Sequence, residues 1–290
     1  IGPKAGLLST FAGFLARIKV RIHFFTGQVW ASEKGIYRIF LKFFDKVIVF
    51  FSTLILLDGD SQRKFLIREK VINFQNSLIL GKGSISGVDL ERFKFDNNQR
   101  HLIRDKLKID YDTKIFLYLG RIKKDKGIID LVHAFNRLES IRKDVFLLLV
   151  GYDEENIIPS VKSLINNKKK LHFFGPSTNP ENFYSVSDVL CLPSYREGFG
   201  SSVIEASSCE LPILCSNVYG LENSMIDGET GLKHQVGNID SLLSKMLKLT
   251  DDDDLRKNLG FKGRKFVAKH FSSEIIAEKW LRFHSNILNN

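Results

Sequence analysis

The chain has 290 residues, 43% of them hydrophobic and 26% charged, a composition that buries a core and excludes a disordered or collagen-like chain. The formal net charge is +10 and uneven: residues 1–90 carry thirteen Lys/Arg against six Asp/Glu, a net +7, leaving +3 for the remainder, and a basic first part suits an anionic surface or substrate. Three cysteines, Cys191, Cys209 and Cys215, without C-x-x-C spacing exclude a disulfide frame and a cysteine zinc site and point to a reducing compartment.

In chain order, Ala5 to Ala16 reads as a buried helix and Lys19 to Thr26 as a strand, closed by Gly27-Gln28. Ser32 to about Phe44 is an amphipathic helix with Ser32 as its cap, and Val47 to Leu57 fits a helix end or a strand. That run is too short to cross a bilayer, which needs about 20 residues. Ile1-Gly2-Pro3-Lys4 offers no charged segment before an apolar core, so no signal peptide is expected. Without an initial Met the chain reads as a fragment or a processed form. Asp58-Gly59-Asp60-Ser61 is a turn that caps a helix from Gln62 to Lys70, and Ser77 to Leu80 is a short strand. The Gly-rich segment Gly81 to Asp89 then marks a domain boundary near residue 90.

Beyond it helices and strands alternate: helix 98–107, strand 114–119, helix 127–138, strand 145–150, helix 157–167, strand 171–174, helix 180–186, strand 188–192, helix 201–208 and strand 212–215. Such alternation predicts an α/β fold, a parallel sheet covered by helices on both faces. Residues 238–288 read as helical throughout, broken near Thr250 and Gly260. The division expected is 1–90, a partial N-terminal domain; 91–270, a C-terminal nucleotide-binding domain; and 271–290, a helix returning toward the first domain.

Two stretches carry chemistry. Cys191 to Glu205, CLPSYREGFGSSVIE, runs from an apolar strand through a Gly-rich loop into a helix that Ser201-Ser202 would cap. Free N–H groups at such a helix start attract phosphate, while Glu197 and Glu205 suit sugar hydroxyls that donate to them. The second, Gly120 to Gly127 (GRIKKDKG), also links a strand to a helix. Arg121 offers a forked donor set for a phosphate and Lys126 a point charge, and Lys123 and Lys124 read as solvated.

Glu197-Gly198-Phe199-Gly200 with Glu205 eight positions on resembles the E-x7-E motif of retaining glycosyltransferases of family 4, within the glycosyl transferases group 1, and the likeness extends over residues 5 to 285. Gly120-Arg121 with Lys126-Gly127 resembles the G-R-x4-K-G element of that family, and Gly83 to Asp89 its interdomain N-G-V-D loop, with Ser86 in place of Asn. The resemblance implies a GT-B fold, two Rossmann-like domains facing a cleft, of which residues 1–90 match only the later half of the first. It implies transfer of a sugar from a nucleoside diphosphate sugar to a glycan or polyprenyl-linked glycan, with retention of configuration, in bacterial capsule, lipopolysaccharide or other polysaccharide assembly. By likeness Glu197, Arg121 and Lys126 are catalytic, and Gly120, Gly198, Phe199, Gly200, Ser201, Ser202 and Glu205 join them in holding the donor. His23 or Thr26, at the end of the first strand, and Glu222-Asn223 stand near it. No metal and no cofactor are expected: Asp58-Gly59-Asp60 is literally D-x-D, but at a turn that Asp and Gly build by themselves. The expected location is cytoplasmic, also peripheral at the inner face of the membrane. Two other readings fit the same residues, a sugar-nucleotide epimerase and a shortened, non-catalytic nucleotide-sugar binding protein. A dehydrogenase lacks its G-x-G-x-x-G after a first strand, and a nucleic-acid partner would rest on charge alone.

Overall fold

The computed structural model describes residues 3–288. Its first part holds α1 (Pro3–Leu15), β1 (Ile22–Phe25), α2 (Gly35–Phe51), β2 (Leu54–Leu57), α3 (Asp60–Arg68) and β3 (Ser77–Ile79). The three strands form a parallel sheet in the order β1-β2-β3, with Ile22 beside Leu54 and Ile55 beside Ser77. Its core is Phe25, Trp30, Ile55, Leu57, Phe65 and Leu66. Trp30 stacks on Phe65 and donates its indole N–H to the buried Asp45 carboxylate at 2.7 Å, which supplies the partner a buried indole needs.

The larger part runs α4 (Asn97–Leu107), β4 (Lys114–Leu119), α5 (Ile128–Ile141), β5 (Val145–Val150), α6 (Ile158–Leu164), β6 (Leu171–Gly175), α7 (Pro180–Val186), β7 (Val189–Leu192), α8 (Ser201–Ser208), β8 (Ile213–Ser216) and β9 (Gly231–His234), then α9 (Ile239–Asp251), α10 (Asp253–His270) and α11 (Ser273–Leu288). The six strands are parallel, in the order β6-β5-β4-β7-β8-β9. Every residue of β5, VFLLLV, is buried, as a strand covered on both faces requires. α5 supplies one cover through Ile128, Leu131, Val132, Phe135 and Leu138, all on a helical stripe. The chain leaves β4 toward β5 and β6 on one side, then returns to β7, β8 and β9 on the other. The carboxyl ends of β4 and β7 are therefore the switch point of this sheet, where an open α/β sheet leaves a crevice.

α4 is capped by Asp96, whose carboxylate accepts from the N–H groups of Asn98 and Gln99. It is pinned by Arg104, a fully buried guanidinium that donates to the carbonyls of Val186, Asp110, Tyr111 and Thr113 and pairs with Asp188 at 2.7 Å. α11 lies against the small sheet: Phe283 is buried with Leu56 and Leu80, and the Trp280 indole donates to the Ile85 carbonyl at 2.8 Å.

Several expectations are corrected. α1 is not buried: Leu8, Phe11, Phe14 and Leu15 are exposed, because its buried positions are the small residues Gly6, Thr10 and Gly13, while Phe11 and Phe14 reach Phe51 of α2 from the rim. Ser32 ends a short 3-10 turn instead of capping α2, which starts three residues later behind Lys34. Ser201 and Ser202 do not cap α8; Gly200 does, in the left-handed region at φ 76°, without a side-chain bond. Nor is α3 capped by a side chain; its cap is Gly59. Gly260 is no break: it sits inside α10, where a Cβ would fall 1.9 Å from the Glu210 carbonyl oxygen; the break near Thr250 is present, at Asp252, and the next falls at Phe271-Ser272. Strand β9 is an addition to the expected set. Among the described residues no helix is long and apolar enough to cross a membrane.

Candidate functional site

The two motif loops leave the neighbouring strands β4 and β7, so the sheet brings them together at its switch point. Lys126, in the short 3-10 turn before α5, is only 9% exposed. Its ammonium donates to Glu197 Oε1 at 2.8 Å and to the Arg196 carbonyl at 3.2 Å. The same Glu197 oxygen accepts the Ser194 hydroxyl at 2.7 Å. Asp125 ties the loops a second time, through the Arg196 guanidinium at 2.9 Å and the Tyr195 N–H. A charge withdrawn from water needs such pairing, and here it fixes the cationic turn against the acidic loop.

Arg121 is not drawn into that contact. Its guanidinium is mostly exposed and lies 3.4 Å from Glu154, while its carbonyl accepts the Tyr118 hydroxyl at 2.6 Å. Lys123, expected to be solvated, is half-buried and 3.6 Å from the same Glu154.

Gly198 sits where the two sheets meet. A Cβ there would fall 2.0 Å from the Thr26 carbonyl oxygen and 3.3 Å from Asp58 Oδ2, so only glycine permits the approach. Phe199 is buried, edge-on to Phe271 at 5.2 Å, and holds the loop down. The N–H groups of the first turn of α8 then carry no side-chain cap, the condition under which a helix start takes an anion. On the second turn Glu205 accepts the hydroxyl of the buried Tyr184 at 2.8 Å. Burial raises the Glu205 carboxyl above its ordinary value and lifts the Tyr184 hydroxyl well above its own.

Between the sheets lies a cavity of about 330 Å³ lined by Thr26 and Asp58 from the small sheet, Ser84 to Ser86 from the connecting segment, and Glu197 to Ser201 from the large one. Of the two residues weighed at the end of β1, Thr26 lines this cavity. His23 lies on a neighbouring groove, buried, its imidazole pushed down to about 4 by that burial. That groove, about 960 Å³, is walled by apolar residues including Phe24, Val29, Trp30 and Phe40, and Arg121, Lys123 and Arg196 stand on its lining. Glu222 is exposed, whereas Asn223 accepts both the N–H and the hydroxyl of Ser61, at 2.9 and 2.6 Å. Tyr219 stacks on Phe65 at 4.4 Å, so this segment joins the two parts of the chain.

Asp58 is the residue that sequence reasoning passed over. The D-x-D spacing is split by the fold: Asp60 is exposed and pairs with Lys64 at 2.7 Å, while Asp58 turns into the cavity. The signal that finds it is position, the first residue past the carboxyl end of a buried parallel strand. Among the described residues no group of three or more His, Cys, Asp or Glu could hold a metal ion.

The fold has solved counterparts. Over 98% of this chain and 76% of the other, the structure is similar to the HepE protein of Anabaena in complex with UDP and glucose, with a TM-score of 0.87 at 15% identity. The class is thus a GT-B-like α/β fold, two Rossmann-like subdomains flanking a cleft. Residues 99–266 match the family described as glycosyl transferases group 1, and the chain belongs to that family: it is a glycosyltransferase. It is 32% identical over 289 residues, 99% of the chain, to the capsular polysaccharide biosynthesis glycosyltransferase CapM of Staphylococcus aureus, of which it spans 75%. It is 27% identical, over 77% of the chain, to the N,N'-diacetylbacillosaminyl-diphospho-undecaprenol alpha-1,3-N-acetylgalactosaminyltransferase of Campylobacter jejuni, of which it spans 60%. The family match corrects the narrower expectation. What it carries is glycosyl transferases group 1, so the family-4 label is withdrawn, and retention of configuration, which rested on that label, is withdrawn with it.

Proposed function

We propose that the chain moves a glycosyl group from a nucleoside diphosphate sugar to a lipid-diphosphate-linked glycan, working at the cytoplasmic face of a membrane. The observation that carries this reading is the Lys126–Glu197 contact across the switch point, beside a cavity walled by both sheets. In this reading Glu205 accepts the ribose hydroxyls and Glu197 those of the transferred sugar. The diphosphate sits on the uncapped start of α8, from Gly200 to Ser202, with Lys126 beside it and Arg121 swung over from Glu154. The acceptor oxygen joins C1 as the C1–O bond to the diphosphate breaks. The electron pair goes to that phosphate oxygen and the acceptor's proton follows it. Fixed donors at the growing charge lower such a barrier by about 3 kcal/mol each.

The neighbouring groove supports the acceptor assignment: apolar walls suit an isoprenoid chain, and Lys123 and Arg196 complement a diphosphate. The Campylobacter relative, by its name, acts on a diphospho-undecaprenol acceptor. We also propose the division 1–90, 91–270 and 271–290, with the first part on the acceptor side.

The test is a thermal-shift screen of UDP-, GDP- and dTDP-sugars followed by transfer to a polyprenyl-diphosphate glycan with the best donor. Arg121→Ala is expected to lower transfer at least a hundredfold while leaving the melting temperature unchanged, since Arg121 is exposed. An Arg121→Ala protein with full transfer would remove the diphosphate assignment, and binding without transfer by the wild-type chain would leave a nucleotide-sugar binder.

A further inference from the structure

Asp58 is 4% exposed and makes no side-chain hydrogen bond or ion pair with another described residue, yet it lines the cavity between the sheets. A carboxylate withdrawn from water without a partner costs stability, and burial pushes this one up to about 7. Its backbone is held on both sides. The N–H donates to Gln62 Oε1 at 2.8 Å, and the carbonyl accepts the Ser84 N–H at 3.0 Å. Gly83, at φ 116°, makes that approach possible, since a Cβ there would fall 1.9 Å from the Asp58 oxygen. The side chain lies against the facing loop of the other sheet, its Oδ2 only 3.3 Å from where a Cβ on Gly198 would stand, next in sequence to Glu197. The remaining polar wall is hydroxyls, those of Thr26, Ser84, Ser86 and Ser201, with no cation lining it. Away from the α8 start, where the diphosphate is placed, two carboxylates and the hydroxyls of Thr26, Ser84 and Ser86 do not suit a phosphate. They suit a neutral polyol whose O–H groups donate to the acids, and the volume lies at the small end of ligand pockets, about 300–1,000 Å³.

We propose that Asp58 reads the hydroxyls of the transferred sugar from the small-sheet wall of the cavity, and so helps decide which sugar is accepted. The proposal rests on the reading that a nucleoside diphosphate sugar occupies the cleft. The test is calorimetric titration at pH 8 of wild type, Asp58→Asn, Asp58→Ala and the surface control Asp60→Asn. The probes are UDP, GDP and dTDP, each free and as its glucose, galactose, N-acetylglucosamine, mannose or rhamnose derivative where that exists. The free nucleotide is expected to bind both Asp58 variants within twofold of wild type. The preferred sugar nucleotide should bind about tenfold or more weakly, as for loss of a hydrogen bond to a charged group, and the order among sugars should change; Asp60→Asn should match wild type throughout. Sugar-nucleotide binding unchanged in Asp58→Asn overturns the proposal, as does an equal loss for nucleotide and sugar nucleotide. Asp58→Asn keeps shape and volume, so it carries the test if Asp58→Ala does not fold. A wild-type chain that binds no member of the panel overturns the nucleotide-sugar reading itself, an outcome distinct from either.

Discussion

Lys126 and Asp58 show opposite solutions for a buried charge. Lys126 has Glu197 at 2.8 Å, whereas Asp58 lines a cavity whose wall carries no cation. The unfolded Asp58 carboxyl titrates near 4 and the folded one near 7. Between those values the native state holds the extra proton, so stability falls as the pH rises through that window. Asp58→Asn is therefore expected to be more stable than wild type by about 4 kcal/mol at pH 8, converging with it toward pH 4, in urea unfolding followed at several pH values. A variant no more stable at pH 8 would contradict the assigned cost. The two motifs were legible at this scale as loops that follow apolar strands, a Gly, an Arg and a Lys at fixed spacing after β4 and two glutamates around a Gly-rich turn after β7. Asp58 was not, because an Asp beside a Gly is also what an ordinary turn requires, and only the burial at the end of β2 separates the two cases.

At the scale of elements, the alternation of apolar strands and striped helices from Lys114 to Ser216 follows directly from the sequence, since strands covered on both faces have to be apolar along their whole length. β9 escaped because GLKH is short and half polar; the edge of a sheet tolerates that, and its pairing with β8 is a tertiary fact. The outward face of α1 escaped for a related reason, since apolar composition does not say which side is covered. Arg104 is a further surprise, a guanidinium inside the core whose worth depends on the carbonyls that converge on it. With Arg100 it ties α4 to Asp188 at the start of β7, and Asp188 also accepts the Ile115 N–H at 2.7 Å. Asp188→Ala leaves the Arg104 charge buried without its counter-ion and is expected to cost about 3–5 kcal/mol in chemical unfolding. A loss under 1 kcal/mol would mean that the carbonyls alone satisfy Arg104.

The whole molecule is asymmetric. Positive charge gathers in its first third, and so do exposed apolar side chains: Ile36 (84%) and Phe50 (76%), with Ile39, Phe40 and Phe43 between them, form an outward stripe on α2 near the exposed residues of α1. An apolar stripe on a basic element is the pattern of a helix that lies in a lipid interface. The chain is expected to co-sediment with vesicles containing anionic lipid, to be released by salt, and to lose binding at least fivefold when Ile39 and Phe43 are both replaced by Ser. Equal binding to neutral vesicles, or none to either, would contradict this seating.

Everything assigned to the cleft depends on where a diphosphate goes, and a crystal structure with UDP locates it directly. The account predicts phosphate oxygens within about 3 Å of Lys126 and the N–H groups at the start of α8, with Arg121 turned away from Glu154 toward them and the ribose on Glu205. A nucleotide bound with its diphosphate away from both loops, with the Lys126–Glu197 contact unchanged, would contradict it.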